Sequence, residues 1–441
     1  MKFYKKLYYV LTIYPQNEEA FFTFEYQSNK DLFGNLLQSE RLFIDREVMR
    51  HSYMPEILPH REKEINDIAT ILVSALRGET PSNLFIYGKT GTGKTAVVKF
   101  VGKELLKKGE ETKKKVKFIY INCEVVDTQY RLLQNIANHF INEWNDHIPF
   151  TGWPTDEVYS KVKTMMDKEQ CVSVIVLDEI DKLKGDEALY SLSRINSELE
   201  NAKVSVVGIS NDLKFTEFLD PRVKSSLGEE NMVFYPYDAE QLQDILRDRV
   251  EMALKPNMID DDVIPLCAAL SAQEHGDARR ALDLLRVSAE LAERNNSLKI
   301  TKHHVKIAQN KIELDRIIEV VRTLPTQSKL ILFSMLLIDK QSKKLGAAQA
   351  MTTGEVYEVY KEICKKTRYN CLTQRRTADL ISELDMLGII TARVISKGRH
   401  GRTREIRMSS PPKDLSNVLE EEDMFKGLTN HNIKCQTKLN F

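Results

Sequence analysis

Residues 88 to 95 read Gly88-Lys89-Thr90-Gly91-Thr92-Gly93-Lys94-Thr95 and separate a short apolar segment, Asn83 to Tyr87, from a helix-forming one that opens at Thr95. Glycines at 88, 91 and 93 permit backbone angles that turn successive N–H groups toward phosphate oxygens, and the helix that follows adds its positive end. At this spacing Lys94 reaches the β and γ phosphates of a nucleoside triphosphate and the Thr95 hydroxyl ligates magnesium. The whole cradle runs through Lys89, Thr90, Thr92 and Ala96. A chance glycine-rich turn would need neither the strand before it nor the helix after it. The order strand, loop, helix places the segment in an α/β module, a parallel sheet with helices on both faces.

The rest of the chain divides around that module. Apolar runs at 116–122, 172–177, 204–210 and 232–234 read as further strands, with helical spacing at 95–106, 128–144, 155–168 and 186–199. From Ala239 to about Ile312 the spacing is helical only, which predicts a small all-α domain. A third unit starts near Leu324-Pro325 and ends at Pro411-Pro412, where a proline pair reads as a stop. The expected domains are an N-terminal extension (1–45), a nucleotide-binding base (46–237), a helical lid (238–320), a winged helix (321–410) and a flexible acidic tail (411–441).

Chemistry gathers at the strand ends. The strand at 172–177 is apolar up to Asp178-Glu179, and the carboxyl edge of a parallel sheet is where ligand groups are presented. Asp178 suits a magnesium contact, and Glu179 suits polarising the water that attacks a γ phosphate. The next strand ends at Asn211, either a holder of that water or a plain turn residue. Beyond it, Leu219-Asp220-Pro221-Arg222 sets a cation where it would face a neighbouring subunit's nucleotide. Arg279, in Gly276-Asp277-Ala278-Arg279-Arg280, stands one turn into a lid helix and can bridge to the γ phosphate, coupling nucleotide to lid angle.

A second chemistry lies near the C-terminus. The chain holds 64 Lys+Arg against 64 Asp+Glu, yet residues 361 to 410 carry twelve basic side chains and five acidic ones, a net of +7. A concentrated basic segment is the electrostatic footprint of a phosphate backbone. Thr352-Thr353-Gly354-Glu355 caps one helix, and a second, 373–387, carries Arg375 and Arg376 near its start. Two strands, 389–396 and 403–408, follow, joined by Lys397-Gly398-Arg399-His400-Gly401-Arg402. This pattern predicts a helix-turn-helix with a β wing, the second helix in the major groove, Arg399 and Arg402 at the wing tip reaching the minor groove or backbone, and Lys397 and Arg404 as further DNA contacts. A winged helix can instead serve protein contacts, and the arginine-loaded wing favours DNA. A cluster at Lys107, Lys108, Lys113, Lys114, Lys115 and Lys117 reads instead as a solvated turn.

The combination resembles an AAA+ ATPase with its helical lid. The wording of the phosphate loop, of Leu219 to Leu227 and of Gly276 to Arg286 resembles archaeal replication initiators of the origin-recognition and cell-division-control type, over about Arg46 to Ser409. That resemblance implies adenine packing by the segment containing Arg61, and pocket positions at Tyr237 and Arg249. It implies DNA contact by Thr151 and Gly152 in the loop Pro149 to Pro154, self-association on DNA, and help in loading the replicative helicase. The expected activity is ATP-dependent binding of double-stranded origin DNA, with slow hydrolysis to ADP as a switch. The closing residues, Gln436 to Phe441, resemble a sliding-clamp-binding tail, set against an inert terminus. A nucleotide-gated transcription regulator and a clamp-loader-like machine fit parts of the pattern. Arg222, Arg279 and the Asp178-Glu179 step favour the initiator over the first, and the basic wing favours it over the second.

Six scattered cysteines without a Cys-x-x-Cys pair argue against a disulfide framework or zinc site and for a reducing, cytoplasmic setting. His303 and His304 diverge on either a helix or a strand, which speaks against a metal role. No apolar run approaches the ~18 residues of a membrane span. The Tyr-rich start lacks the small-residue cleavage site of a signal peptide.

Overall fold

Apolar, β-branched runs alternate with amphipathic helices between residues 84 and 234, and the backbone follows that alternation. The computed structural model describes residues 41–141, 143, 147–227, 230–344, 350–396, 402–409 and 411–428. Strands β1 (Leu84–Gly88), β2 (Val116–Asn122), β3 (Val172–Asp178), β4 (Lys203–Ser210) and β5 (Glu230–Phe234) form one sheet in the order β2-β3-β4-β1-β5. All pairings are parallel. The inner strands are buried along almost their whole length and the outer ones only in part, as expected for a sheet covered on both faces.

Strand alternation sorts the two faces. Leu84, Ile86, Val174 and Val176 pack with α1 (Glu62–Arg77) and α2 (Lys94–Glu111). Phe85, Tyr87, Ile175 and Leu177 pack with α3 (Gln129–Asn138), α4 (Thr155–Glu169) and α5 (Glu187–Glu198). The register aligns Asp178 with Asn122 and Ile209, and Ser210 with Tyr87. The loop after β1 and the ends of β2, β3 and β4 therefore open on one edge.

Helix α3 stops at Asn138, short of the 128–144 expected from spacing, and its last turn holds the returning loop. Asn138 accepts from the Ile148 N–H at 2.9 Å, and the Gln134 and Asn138 amides both donate to the Ile148 carbonyl.

Helices α6 (Phe215–Phe218) and α7 (Pro221–Leu227) precede β5, and the lid follows as α8 (Ala239–Ala253), α9 (Val263–Gln273), α10 (Ala278–Arg294) and α11 (Lys302–Thr323). Asp238 and Gln241 close a capping box at the start of α8. Residues 42 to 49, expected to divide between the extension and the base, complete the lid core instead. Leu42, Phe43, Val48 and Met49 are buried there, and the Ile44 N–H donates to the Ala253 carbonyl at 2.8 Å.

No connector separates lid from winged helix. Helix α11 places Val305 and Ala308 in the lid core and Val321, with Ile317 and Ile318, in the next one. That second core is built by α12 (Thr326–Lys344), β6 (Met351–Thr352), α13 (Thr353–Thr367), α14 (Gln374–Met386), β7 (Ile390–Ser396) and β8 (Arg402–Met408), with antiparallel order β6-β8-β7. The sequence pattern shows two of these strands; β6 has two residues, too few to carry a period.

The expected flexible tail is corrected from 411 through 428. Pro412 occupies the first turn of α15 (Pro412–Glu420), a position where the missing N–H costs nothing. Leu415, Leu419 and Phe425 are fully buried, with the Phe425 ring 4.5 Å from that of Phe333. Burying each such side chain contributes about 1.5–3 kcal/mol, more than the exposed pair of Glu421 with Arg322 supplies.

Among the described residues, Cys123, Cys171, Cys267 and Cys364 are buried free thiols and Cys371 is an exposed one. None of the helices described is long and apolar enough to cross a membrane.

Candidate functional site

The carboxyl edge of the sheet gathers most of the motif residues. Lys94, at the start of α2, is 6% exposed and donates from Nζ to the Gly88 and Lys89 carbonyls, both at 2.8 Å, and to Asn211 Oδ1 at 3.0 Å. Burial lowers its pKa to about 8; Asp178 opposes that shift and Arg279 adds to it. The ammonium thus stays mostly charged at neutral pH while held by weak neutral acceptors. An arriving phosphate would find it already in place.

The carboxylate of Asp178 lies beside it. Its Oδ2 accepts from Thr95 Oγ1 at 2.8 Å and from the Tyr120 hydroxyl at 2.6 Å, and its Oδ1 from the Glu179 N–H at 3.0 Å. Glu179 sits in the left-handed region, φ 55°, which turns its side chain away from the strand line and into the cavity. Burial, then the neighbouring Glu124 carboxyl, holds Glu179 above the ordinary carboxylate range. Asp181 fixes Asn211 from behind, accepting from its N–H at 3.3 Å and from Ser210 Oγ at 3.0 Å.

The phosphate loop and the lid meet directly. Gly91 has φ 72°, and a Cβ there would lie 1.7 Å from Asp277 Oδ1; the Ala278 N–H donates to the Gly91 carbonyl at 3.2 Å. Asp277 also caps α10, accepting from the Arg279 and Arg280 N–H groups. Replacing Gly91 with Ala sets a methyl where Asp277 Oδ1 lies and is expected to push the loop off its lid contact, weakening nucleotide binding about tenfold, or about 1.4 kcal/mol. Titration with a fluorescent ADP analogue measures it, and an unchanged dissociation constant would show that the loop-to-lid contact is dispensable.

A cavity of about 770 Å³ lies over the loop, within the range of sites that enclose a small ligand. Thr90 to Ala96, Asp178, Glu179 and Asn211 form its floor; Tyr237, Arg249 and Arg279 reach it from the lid side. Residues 51 to 59 supply an outer wall with Met54, Ile57 and Leu58. Arg249 anchors that wall, donating to the Val48 carbonyl at 3.1 Å with its guanidinium 4.7 Å from the Tyr53 ring centre.

One expected residue lies outside the cavity lining. Arg61 does not line the cavity; it is buried behind the loop, bonded to the Thr92 and Tyr235 carbonyls and to the Tyr237 hydroxyl, with its charge 4.1 Å from the Tyr237 ring centre. It binds base, loop and lid entrance together. Arg222 is exposed at the start of α7 and does not reach its own chain's cavity.

Conversely, Lys99, Tyr120 and Glu124 line the cavity without being expected there. One signal was available for Lys99: four residues beyond Thr95, it shares a helix face with it.

In the winged helix, Arg375 and Arg376 are exposed on the first turn of α14, whose cap is the Thr373 hydroxyl. Arg404 turns inward, donating to the Ala378 carbonyl at 2.5 Å, and so pins the wing strand to α14. Arg402 opens β8 opposite Ser396, while Lys397 and Arg399 lie outside the described residues. Thr151 and Gly152 are exposed between α3 and α4, beside the protruding Phe150, on a loop held where Tyr130 donates to the Pro149 carbonyl. Lys117 stacks on Phe140 and pairs with Glu169. The Gln436–Phe441 terminus is also outside the described residues.

Three family models divide the chain along these lines: an AAA domain over residues 77–214, a Cdc6 AAA+ ATPase-type lid over 243–310 and a CDC6 C-terminal winged helix over 319–418. The ORC1-type DNA replication protein 1 of Methanosarcina mazei is 56% identical over 415 residues, which is 94% of this chain and 99% of that protein. This chain belongs to the archaeal ORC1/Cdc6 family of replication initiators. An ORC1-type DNA replication protein of Pyrococcus horikoshii is 58% identical to this ORC1/Cdc6 chain over 390 residues, covering 88% of it and 92% of the relative. Among solved structures, the Aeropyrum pernix ORC1 protein in complex with DNA superposes with a TM-score of 0.72 at 45% identity, covering 88% of this chain and 99% of that one. Cdc6p from Pyrobaculum aerophilum, 23% identical with a TM-score of 0.53, shares the fold. ORC1/Cdc6 membership sets aside the transcription regulator and the clamp loader.

Proposed function

We propose that this chain binds double-stranded DNA at replication origins in an ATP-dependent way, through the first turn of α14, the wing and the Thr151-Gly152 loop, and helps load the replicative helicase. The observation that carries the ATP dependence is the contact of Gly91 with Asp277 and Ala278. Phosphates bound on the loop would lie against the first turn of the lid helix, so occupancy and lid angle are one equilibrium. Because α11 runs unbroken from the lid core into the winged-helix core, a change in lid angle is passed on without a slack connector.

The groups around the loop fit a nucleotide with magnesium: two glycines with left-handed backbone, a buried ammonium, and a hydroxyl and carboxylate 2.8 Å apart on the cavity floor. Thr95 and Asp178 would hold the cation, which when bound neutralises charge developing on the phosphates. Lys94 would turn its bonds from the Gly88 and Lys89 carbonyls and from Asn211 Oδ1 to phosphate oxygens, and loss of the last of these frees Asn211 to face the attacking water. Glu179 orients that water and takes its proton, while Arg279 reads the γ phosphate from the lid. Arg222, exposed at the start of α7, would act on the nucleotide of a neighbouring copy on DNA.

Footprinting of the full chain on genomic DNA with ATP and with ADP tests the proposal. Protection confined to a few repeats beside an origin, and altered between the two nucleotides, is the expected result. Protection at promoters, or a footprint indifferent to nucleotide, would overturn it.

A further inference from the structure

Asp178 is 5% exposed, and its carboxylate is held by more donors than its own loop supplies. Of roughly four acceptor directions on a carboxylate, three are occupied: by Thr95 Oγ1, the Tyr120 hydroxyl and the Glu179 N–H. Thr95 belongs to the phosphate loop and Glu179 follows Asp178 in the chain. Tyr120 arrives from a different strand.

Its arrival is determined by register. In the β2–β3 pairing Tyr120 stands opposite Val176, two residues before the Asn122–Asp178 pair, so its ring lies alongside the strand that ends in the carboxylate. The hydroxyl then reaches Oδ2 at 2.6 Å. On the other side, Lys99 Nζ lies 3.8 Å from the Tyr120 ring centre. Lys99 is one turn beyond Thr95 on α2, so α2, β2 and β3 are joined through Thr95, Lys99, Tyr120 and Asp178. All four line the cavity.

We infer that Tyr120 is a positioning residue, one that orients the Asp178 carboxylate for a divalent cation, with Lys99 holding the phenol ring in place. The inference rests on the proposed nucleotide and magnesium site. The phenol acts only through Asp178, not on a phosphate. Thr95 and Tyr120 donate to the same oxygen, and a cation that takes a lone pair of Thr95 Oγ1 leaves its O–H bonded to Oδ2, so the two donors together fix that oxygen and Tyr120 is the one that comes from outside the loop. Loss of an outer partner of a metal ligand typically costs about 10–100-fold in metal affinity or activity.

The experiment uses the full chain and N-methylanthraniloyl-ADP fluorescence, first in EDTA and then across a magnesium titration. For Tyr120→Phe, affinity in EDTA should stay within about twofold of wild type, while the magnesium concentration at half-maximal gain rises about tenfold. Lys99→Met keeps the hydroxyl but frees the ring, and should shift the midpoint in the same direction by less. A merely structural role would weaken binding in EDTA too and leave the midpoint in place. A Tyr120→Phe magnesium curve that superposes on wild type overturns the inference. If Asp178→Asn also leaves the magnesium response unchanged, the metal site itself is wrong, and the proposed function loses its magnesium step before Tyr120 is in question.

Discussion

Lys94→Ala is expected to lower ATP hydrolysis by about 100-fold or more, the loss seen when one preorganised electrostatic group is removed from a charge-stabilising site. The side chain is already folded into the loop, with three acceptors within 3.0 Å, so its loss removes a group whose ordering cost was met on folding. Alanine leaves the Gly88 and Lys89 carbonyls facing an anionic ligand with no cation between them. Nucleotide affinity should therefore fall together with turnover. Lys94→Arg is expected to fail almost as fully, because a planar guanidinium cannot take the place of a compact ammonium among two loop carbonyls and an amide oxygen. Phosphate release by the full chain, with ADP-analogue binding alongside, measures both. Turnover within about threefold of wild type in the alanine variant, against the hundredfold expected, would remove Lys94 from the mechanism.

The loop, Asp178 and Asn211 were legible because their chemistry is written in consecutive residues: glycines where the chain bends toward phosphate, and polar groups where an apolar strand stops. Tyr120 and Lys99 were not. Their partnership depends on the pairing of β2 with β3 and on the turn of α2, neither of which a linear pattern states. Arg61 shows the converse limit. Its neighbours in sequence resemble an adenine-binding segment, but its partners are the Thr92 and Tyr235 carbonyls, backbone atoms that only the fold brings near.

The C-terminal unit shows the same division. The capping signals Thr352-Glu355 and Thr373 mark α13 and α14 where the pattern places them. The proline pair at 411 and 412 reads in the sequence as an end, although proline is equally at home on the first turn of a helix. What decides between those readings is the apolar spacing of Leu415, Val418 and Leu419, whose partners lie in α12 and α11.

The net of +7 over residues 361 to 410 also overstates what DNA would meet, and this bears on the second large effect. Arg404 is spent on the Ala378 carbonyl, and Arg407 pairs with Glu405 at 2.7 Å. Arg375 has no ion pair among the described residues, and Arg376 has only a long one, 3.7 Å, to Glu383. Both project from the first turn of α14, the end of a recognition helix that contacts base edges. Changing both to alanine is expected to weaken binding to origin duplex by about 30-fold or more at low salt, at about 1–3 kcal/mol for each guanidinium removed. If both meet phosphates instead, the slope of log K against log salt should flatten by about two. If both read bases, the slope holds and discrimination against scrambled duplex falls. Arg404→Ala should behave differently: a lower melting temperature of the winged helix, with the salt slope retained. Fluorescence anisotropy on origin and scrambled duplexes at several salt concentrations separates these cases. Unchanged affinity of the double variant at every salt concentration would exclude α14 from the DNA interface and leave the wing and the Thr151-Gly152 loop to carry it.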